Sequence, residues 1–120
     1  GMLTNPISNP NGDLGTHAER GSINEGLSDI WASCIEAYYP GLNKNAWLIG
    51  EEVVTGGLLC LRSLRNPFQE GDTRSNGFQG YPDTYLGANW SGGNTPPHQN
   101  STVLSHWFYI LSDGKIGSND

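Results

Sequence analysis

The stretch from Ser22 to Tyr39 constrains the fold most, because its apolar residues recur at helical spacing. These apolar positions are Ile23, Leu27, Ile30, Trp31, Cys34, Ile35 and Tyr38. Their spacing predicts an amphipathic helix whose apolar stripe faces a core. Pro40 and Gly41 follow directly and predict the end of this helix.

A second stretch with helical spacing runs from Ser101 to Ser112, with Gly114 as its expected stop. Its predicted apolar face carries Val103, Leu104, Trp107, Phe108 and Leu111. Residues 45–64 mix aromatic and β-branched residues with glycine pairs, which predicts short strands or turns. The connection 66–97 is polar, aromatic and rich in Gly, Pro and Asn, and a loop of that length is usually functional or pinned to the body. Residues 1–21 lack periodicity and are predicted to form an extended arm or loop.

Size and charge narrow the class of protein. With 120 residues, 17 of them Gly and seven Pro, the chain is expected to form one domain with a thin core. A formal charge of -6 with scattered basic residues argues against a nucleic-acid partner. No segment approaches the roughly 20 apolar residues of a membrane helix. The first residues have no basic opening and no apolar run, so we expect no signal peptide in this chain.

The two cysteines, Cys34 and Cys60, allow one disulfide bridge or none. Cys34 lies on the predicted apolar stripe of the first helix. A buried free thiol is therefore the favoured interpretation of Cys34.

Three carboxylates share the opposite side of that helix. At 100° of rotation per residue, Glu25, Asp29 and Glu36 fall within about 20° of one another. A pair at the spacing of Glu25 and Asp29 can serve a metal, the first as ligand and the second as the group that orients a neighbouring ligand. The alternative is structural, because Ser22 and Glu25 also fit a capping box with Ser22 at the N-cap. Spacing alone favours this capping and solvated-face interpretation.

The three histidines are His17, His98 and His106, and the metal-binding pattern HExxH is absent. His98 is expected in the loop just before the second helix, exposed and free to orient. Such a loop histidine is more often solvated than functional. His106 is predicted to be a packing residue.

Two further groups are ambiguous on spacing. Arg62 and Arg65, in the predicted turn LRSLRNP, fit either a bidentate clamp on a substrate oxygen or a tie between loop and helix. The aromatic loop with Tyr81, Tyr85 and Trp90 fits either stacking on a sugar or peptide or anchoring of the loop to the body.

Four segments stand in a characteristic order between residues 21 and 114: GSINEGLSDIW, WLIGEEV, LRSLRNP and HQNSTVLSHWFYILSDG. Together they resemble the thermolysin-like zinc metallopeptidases. The resemblance implies a mainly α fold, the helical C-terminal lobe of a thermolysin-like domain, with two main helices, long irregular loops and short strands. Residues 22–114 would form a partial lobe between the arm 1–21 and the tail 115–120.

The same resemblance implies roles for four residues. Glu25 matches the third zinc ligand of the family, and Asp29 the carboxylate that orients a zinc-bound histidine. Arg62 matches the arginine that binds a substrate carbonyl oxygen, and His98 the histidine that stabilises the tetrahedral oxyanion. Family membership would also imply zinc-dependent endopeptidase activity on peptides or proteins, and a secreted or cell-surface location.

The chain also departs from the family pattern at several positions. The family's HExxH helix supplies two zinc ligands and the general base, and its absence predicts that this chain alone neither hydrolyses peptides nor binds zinc tightly. Thr16 stands near the place of the active-site tyrosine, and Asn94 is the nearest match to the acid that orients the catalytic histidine.

The family's double calcium site is also incompletely matched. Glu36 and Glu51 match calcium ligands, but Ala46 and Leu48 stand where carboxylates are expected. Two carboxylates make a poor calcium cage, which argues against calcium at this site.

Two other functions remain open from sequence. The chain could be a non-catalytic module that binds peptide or glycan through the Tyr85–Trp90 loop, or a truncated product with no independent role. Apolar surface left uncovered on such a partial lobe predicts self-association, for example as a symmetric dimer.

Overall fold

The computed structural model describes residues 17–39, 45–74, 80–92 and 97–113. The elements in chain order are α1 (His17–Tyr38), β1 (Leu48–Ile49), β2 (Arg62–Ser63), α2 (Pro67–Glu70) and α3 (Pro97–Asp113). The prediction of a mainly α fold with two main helices and short strands is confirmed. Most of the predicted arm, the tail 115–120 and the expected helix stops at Pro40, Gly41 and Gly114 lie outside the described residues.

Helix α1 begins at His17, ahead of the predicted start at Ser22. Residues 17–21, assigned above to the arm, are therefore helical. Glu19 lies in the first turn, where a carboxylate suits the positive end of the helix dipole. The capping-box interpretation of Ser22 is wrong, because Ser22 is buried inside the helix rather than placed at its N-cap.

Helices α1 and α3 cross closely at Gly26. A Cβ at this position would lie 2.8 Å from the carbonyl oxygen of Ser101 and 3.1 Å from Cβ of Leu104. Only the missing side chain of glycine allows the two backbones to approach this far. The tight crossing fixes the relative position of the two helices that carry the candidate site.

The buried face of α3 is made of small polar residues. Ser101, Thr102 and Ser105 are fully buried. Their hydroxyl groups donate to backbone carbonyls, as Thr102 Oγ1 does to Pro82 at 2.7 Å and Ser101 Oγ to His98 at 2.9 Å. Hydrogen bonding to the local backbone makes these residues compatible with a buried interface.

The predicted apolar stripes face outward over much of their length. On α1, Trp31, Ile35 and Tyr38 are exposed, as are Trp107 and Leu111 on α3. The prediction that the stripe of α1 faces a core is wrong for Trp31, Ile35 and Tyr38, because the two helices pack through small residues instead.

The cysteines correct one further expectation. Both are free, but Cys34 is exposed, so the prediction of a buried thiol is wrong for it. Cys34 shares the outward side of α1 with the exposed apolar side chains. Cys60 is the buried thiol of the pair.

Strands β1 and β2 pair antiparallel, with Leu48 opposite Ser63 and Ile49 opposite Arg62. This confirms the short strands predicted for residues 45–64, and places Arg62 on a strand rather than in a turn. The core beside the strands contains the buried side chains of Leu48, Cys60, Leu64 and Tyr81.

Helix α3 is joined to this core through its ring side chains. The Nδ1–H group of the buried His106 donates to the carbonyl oxygen of Leu64 at 2.7 Å, and its ring stacks on Tyr109. The predicted packing role of His106 is confirmed. Among the described residues, no helix combines the length and apolarity that crossing a membrane requires.

The connection between Asn66 and Pro97 is pinned at several points. Arg65 Nη2 lies 2.9 Å from Glu70 Oε1, which ties the strand end to α2. The hydroxyl of Tyr81 donates to the carbonyl of Asp72 at 2.9 Å, and its ring is buried. Arg65 therefore ties a loop to a helix, and Tyr81 anchors the loop to the body of the fold. Both are the structural alternatives given in the sequence analysis.

Candidate functional site

Four side chains predicted for the site come together from three elements. Asp29 on α1 and Arg62 on β2 form a bidentate ion pair, with Nε to Oδ2 at 2.6 Å and Nη2 to Oδ1 at 2.9 Å. The side chains are only 5% exposed for Asp29 and 13% for Arg62. Two parallel charge-assisted hydrogen bonds hold the guanidinium plane in one orientation. We name Glu25, Asp29, Arg62 and His98 the Glu25 cluster.

The environment keeps Arg62 charged. Burial would lower the pKa of its guanidinium, but the hydrogen bonds and charge of Asp29, together with the charge of Glu25, raise the pKa above its ordinary value. Arg62 is therefore a fixed, permanently positive group at the base of the cluster.

Glu25 lies between two nitrogen-bearing side chains. Its Oε1 atom is 3.7 Å from Arg62 Nη2 and 3.4 Å from His98 Nδ1. The imidazole of His98 is 54% exposed and can meet a ligand from solvent. The prediction that His98 lies in a loop is wrong, because α3 begins at Pro97 and places His98 in its first turn. Proline is well tolerated there, since the first helical NH groups have no intrahelical partner.

The chemistry available to the cluster is recognition of oxygen atoms. Asp29 engages Nε and Nη2 of Arg62, and among the described residues no hydrogen bond is made to Nη1. Nη1 of Arg62 and the exposed ring of His98 are donors that can bind a carbonyl or an oxyanion. Glu25 is the acceptor on the same side.

The described residues do not by themselves fit a zinc site. Within them, no three His, Cys, Asp or Glu side chains lie close enough together to hold a metal ion. Both oxygens of Asp29 accept from Arg62, so Glu25 is the carboxylate that remains for a metal. A zinc site takes about three protein ligands or more, mostly His and Cys.

The predicted calcium positions are similarly incomplete. Glu36 Oε2 is buried without a hydrogen-bond partner in the described part of the chain, as a cation ligand would be. Glu51 Oε1, however, already accepts from the backbone NH of Asn45 at 3.1 Å. Ala46 and Leu48 add no side-chain oxygen, and calcium takes about six to eight oxygen ligands. The donor set does not fit calcium, and Thr16 and Asn94 lie outside the described residues.

A separate pocket of about 340 Å³ opens between the first half of α1, α3 and the aromatic loop. Tyr85 and Trp90 form one wall as an edge-to-face pair, with ring centroids 4.6 Å apart. The Tyr85 hydroxyl donates to Glu19 Oε1 at 3.4 Å, at the edge of the pocket. The remaining apolar lining comes from Ile23, Val103, Leu104 and Trp107. We name this pocket the aromatic groove.

Sequence reasoning found one wall of the aromatic groove and missed the other. Tyr85 and Trp90 were binding candidates, whereas Val103 and Trp107 were assigned only to the apolar face of the second helix. The missed signal is the run of Ser and Thr on the opposite face of α3, because small hydroxyl residues can pack against a second helix. A helix with such a face can leave its bulky residues for a ligand or partner.

Comparison with known proteins gives a consistent result. The model of a family described as thermolysin metallopeptidase, alpha-helical domain, matches residues 12–119. A thermolysin from Alicyclobacillus acidocaldarius subsp. acidocaldarius is 33% identical over 117 residues, which cover 95% of this chain and 19% of the relative. The thermostable neutral protease NprT from Geobacillus stearothermophilus gives the same identity and coverage. A bacillolysin from Bacillus cereus is 32% identical over 114 residues, or 93% of this chain and 18% of the relative.

The chain therefore spans about a fifth of the length of these relatives. No solved structure matches it at a comparable level of significance.

Proposed function

Because the chain belongs to the thermolysin metallopeptidase family, as its C-terminal helical domain, we propose that it supplies the substrate-binding side of a zinc endopeptidase site. The observation that carries this proposal is the convergence of Glu25, Arg62 and His98 from three elements. The three residues are far apart in the sequence, and the fold brings their side chains within 3.7 Å of one another through Glu25.

Each member of the Glu25 cluster has a role in this proposal. Arg62 binds a substrate carbonyl oxygen through Nη1. Asp29, for which the family resemblance implies the orientation of a zinc-bound histidine, also holds the guanidinium of Arg62 in position. His98 donates to the oxyanion of the tetrahedral intermediate, where a positioned donor is worth about 10²–10³ in kcat. Glu25 provides one metal ligand. The substrates would be peptides or proteins, and the location secreted or cell-surface.

The chain alone is proposed to be inactive. Its sequence contains no HExxH pattern, so it lacks the two histidines and the general base of the family site. A fluorogenic peptide incubated with the purified chain and zinc should be cleaved no faster than in the same zinc buffer without the chain. A cleavage rate that a chelator and Glu25→Gln abolish, and that Glu52→Gln leaves intact, would overturn this part of the proposal.

The residue roles are tested in a chimera. The aligned segment of the Alicyclobacillus thermolysin is replaced by residues 21–114 of this chain, and peptidase activity is expected to persist. His98→Ala should then lower kcat by about 10²–10³ with little change in KM. Leu111→Ala, at another exposed position on the same helix, is the control. Equal losses in both variants, at unchanged Tm, would contradict the role of His98.

The aromatic groove favours a second candidate function, the non-catalytic binding of a ligand at the Tyr85–Trp90 loop. No residue of the Glu25 cluster lines the groove, whose α1 residues are Glu19, Ser22 and Ile23. Binding there would not require the zinc site. The ligand class and its test follow in the next subsection.

Self-association is a further proposal, carried by the outward apolar face of α1. Trp31, Ile35 and Tyr38 are exposed at helical spacing on one long helix, and such faces tend to find partners. We expect a dimer in light scattering at high concentration. A strictly monomeric chain there, or a dimer that Trp31→Ser and Ile35→Ser leave unchanged, would contradict it.

A further inference from the structure

We propose that the aromatic groove binds an apolar side chain of a peptide that carries a basic residue next to it. The proposal names the ligand class for the second candidate function and rests on that function. It is independent of the Glu25 cluster, because none of the four cluster residues lines the groove.

The size and lining of the groove select an apolar anchor. Its volume of about 340 Å³ is at the lower end of ligand pockets, roughly 300 to 1,000 Å³. Val103, Leu104 and Trp107 on α3 face Ile23 on α1 across it. A leucine or phenylalanine side chain entering this space would lose much of its hydration shell, which favours binding.

A sugar fits the groove less well, because its hydroxyl groups would need hydrogen-bond partners. Among the polar residues of the lining, Asn100 is already used on both ends of its amide. Its Nδ2 donates to the carbonyl of Ser91 at 2.6 Å, and its Oδ1 accepts from the Ser91 NH at 3.1 Å. Burying hydroxyl groups without partners opposes binding.

Negative charge at the groove favours a basic residue next to the apolar side chain of the peptide. Glu19 supplies a carboxylate at the edge of the groove, and the chain as a whole carries a formal charge of -6. A lysine or arginine that follows the anchor would meet this negative potential. Its cation would also lie near the faces of Tyr85 and Trp90, which attract cations.

The aromatic wall is held in place before any ligand arrives. The clamp between Asn100 and Ser91 ties the end of the loop to α3, and the Trp90 NH donates to the carbonyl of Gly87 at 3.1 Å. Leu86 and Asn89 adopt positive φ angles of 56° and 63°, which fold the loop into a compact turn. A fixed wall reduces the ordering cost of binding.

Tryptophan fluorescence tests the proposal, because two of the four tryptophans in the chain, Trp90 and Trp107, line the groove. The first probe is the blocked peptide acetyl-Gly-Leu-Lys-Gly-amide. The others are the same peptide with Leu replaced by Ser, the same peptide with Lys replaced by Glu, and chitotriose. We expect a saturable change in emission with the first probe, and binding weaker by about tenfold with either altered peptide.

Matched variants locate the binding. Trp107→Ala should weaken binding by about tenfold, whereas Trp31→Ala, with 57% exposure against 56%, should leave it unchanged. Glu19→Gln should weaken binding about threefold, and Glu52→Gln, the same charge change away from the groove, should not. Thermal melts of each variant separate lost binding from lost folding.

The outcomes show separately whether the groove binds a ligand and whether that ligand is a basic apolar peptide. Saturation by chitotriose or by the Ser-containing peptide, sensitive to Trp107→Ala, would keep a binding groove but overturn the basic apolar peptide as its ligand. No saturable change with any probe would overturn both. Binding that responds equally to Trp31→Ala and Trp107→Ala would place the site elsewhere and contradict the proposal.

Discussion

The ion pair between Asp29 and Arg62 should couple the two residues strongly in the stability of the fold. Replacing Asp29 by Leu leaves a guanidinium that is only 13% exposed without its bidentate partner. Breaking a buried pair in this way costs about 3 to 5 kcal/mol. Glu25 Oε1, at 3.7 Å from Nη2, remains nearby. We therefore expect the lower end of that range, about 3 kcal/mol.

This loss is large enough to measure by urea or thermal unfolding, followed by circular dichroism and tryptophan emission. At about 4 °C per kcal/mol for a domain of this size, Asp29→Leu should lower Tm by about 12 °C. Arg62→Met should have a similar effect, because it leaves a buried carboxylate unpaired. The double variant removes both charges and should recover to within about 1 kcal/mol of the parent.

The coupling energy in this double-mutant cycle tests whether Asp29 and Arg62 stabilise the fold as a pair. If the two single losses add within about 0.5 kcal/mol in the double variant, the pair does not interact as described and the reasoning fails. Arg74→Met is the control, because the Arg74 side chain that pairs with Asp72 is 56% exposed. Exposed pairs contribute little, so its Tm should not change measurably.

Three further predictions follow from other parts of the chain. Native protein should react with one equivalent of Ellman's reagent through the exposed Cys34, and with a second through Cys60 only after unfolding. Burial, with the nearby charge of Glu70, raises the pKa of Cys60 from 9.0 to about 11. The thiol therefore leaves the free energy of unfolding unchanged below pH 9 and lowers it as the pH rises towards 11, because the unfolded chain loses the proton first. Cys60→Ala should reduce this decline. Gly26→Ala should lose about 2 kcal/mol in urea unfolding, because its Cβ would press on the carbonyl of Ser101.

Each of the three has a clear contrary result. Two thiols titrating at equal rates in the native protein would contradict the burial of Cys60. An unchanged pH profile in Cys60→Ala would show that another group governs stability above pH 9. For the glycine, Gly92→Ala is the control, because a Cβ there meets nothing within 4 Å. Equal stabilities of the two alanine variants would contradict the close helix crossing.

Local spacing predicted the two main helices. The residues of the Glu25 cluster were identified through the resemblance to the thermolysin-like family, because spacing alone favoured a capping and solvated face for Glu25 and Asp29. It did not predict which helix faces are buried. Hydropathy does not reveal that the hydroxyl groups of Thr102 and Ser101 are satisfied by backbone carbonyls, nor that Gly26 lets two backbones meet. These are tertiary effects, and they leave the side chains of Trp31 and Trp107 exposed to solvent.

A calorimetric titration of the purified chain with zinc at neutral pH tests the partial metal site most directly. We expect no stoichiometric uptake at micromolar zinc, because Glu25 is the carboxylate available to the metal and Asp29 is engaged by Arg62. One equivalent of tightly bound zinc, lost in Glu25→Ala and retained in Glu52→Ala, would contradict the claim that this chain holds only part of a metallopeptidase site.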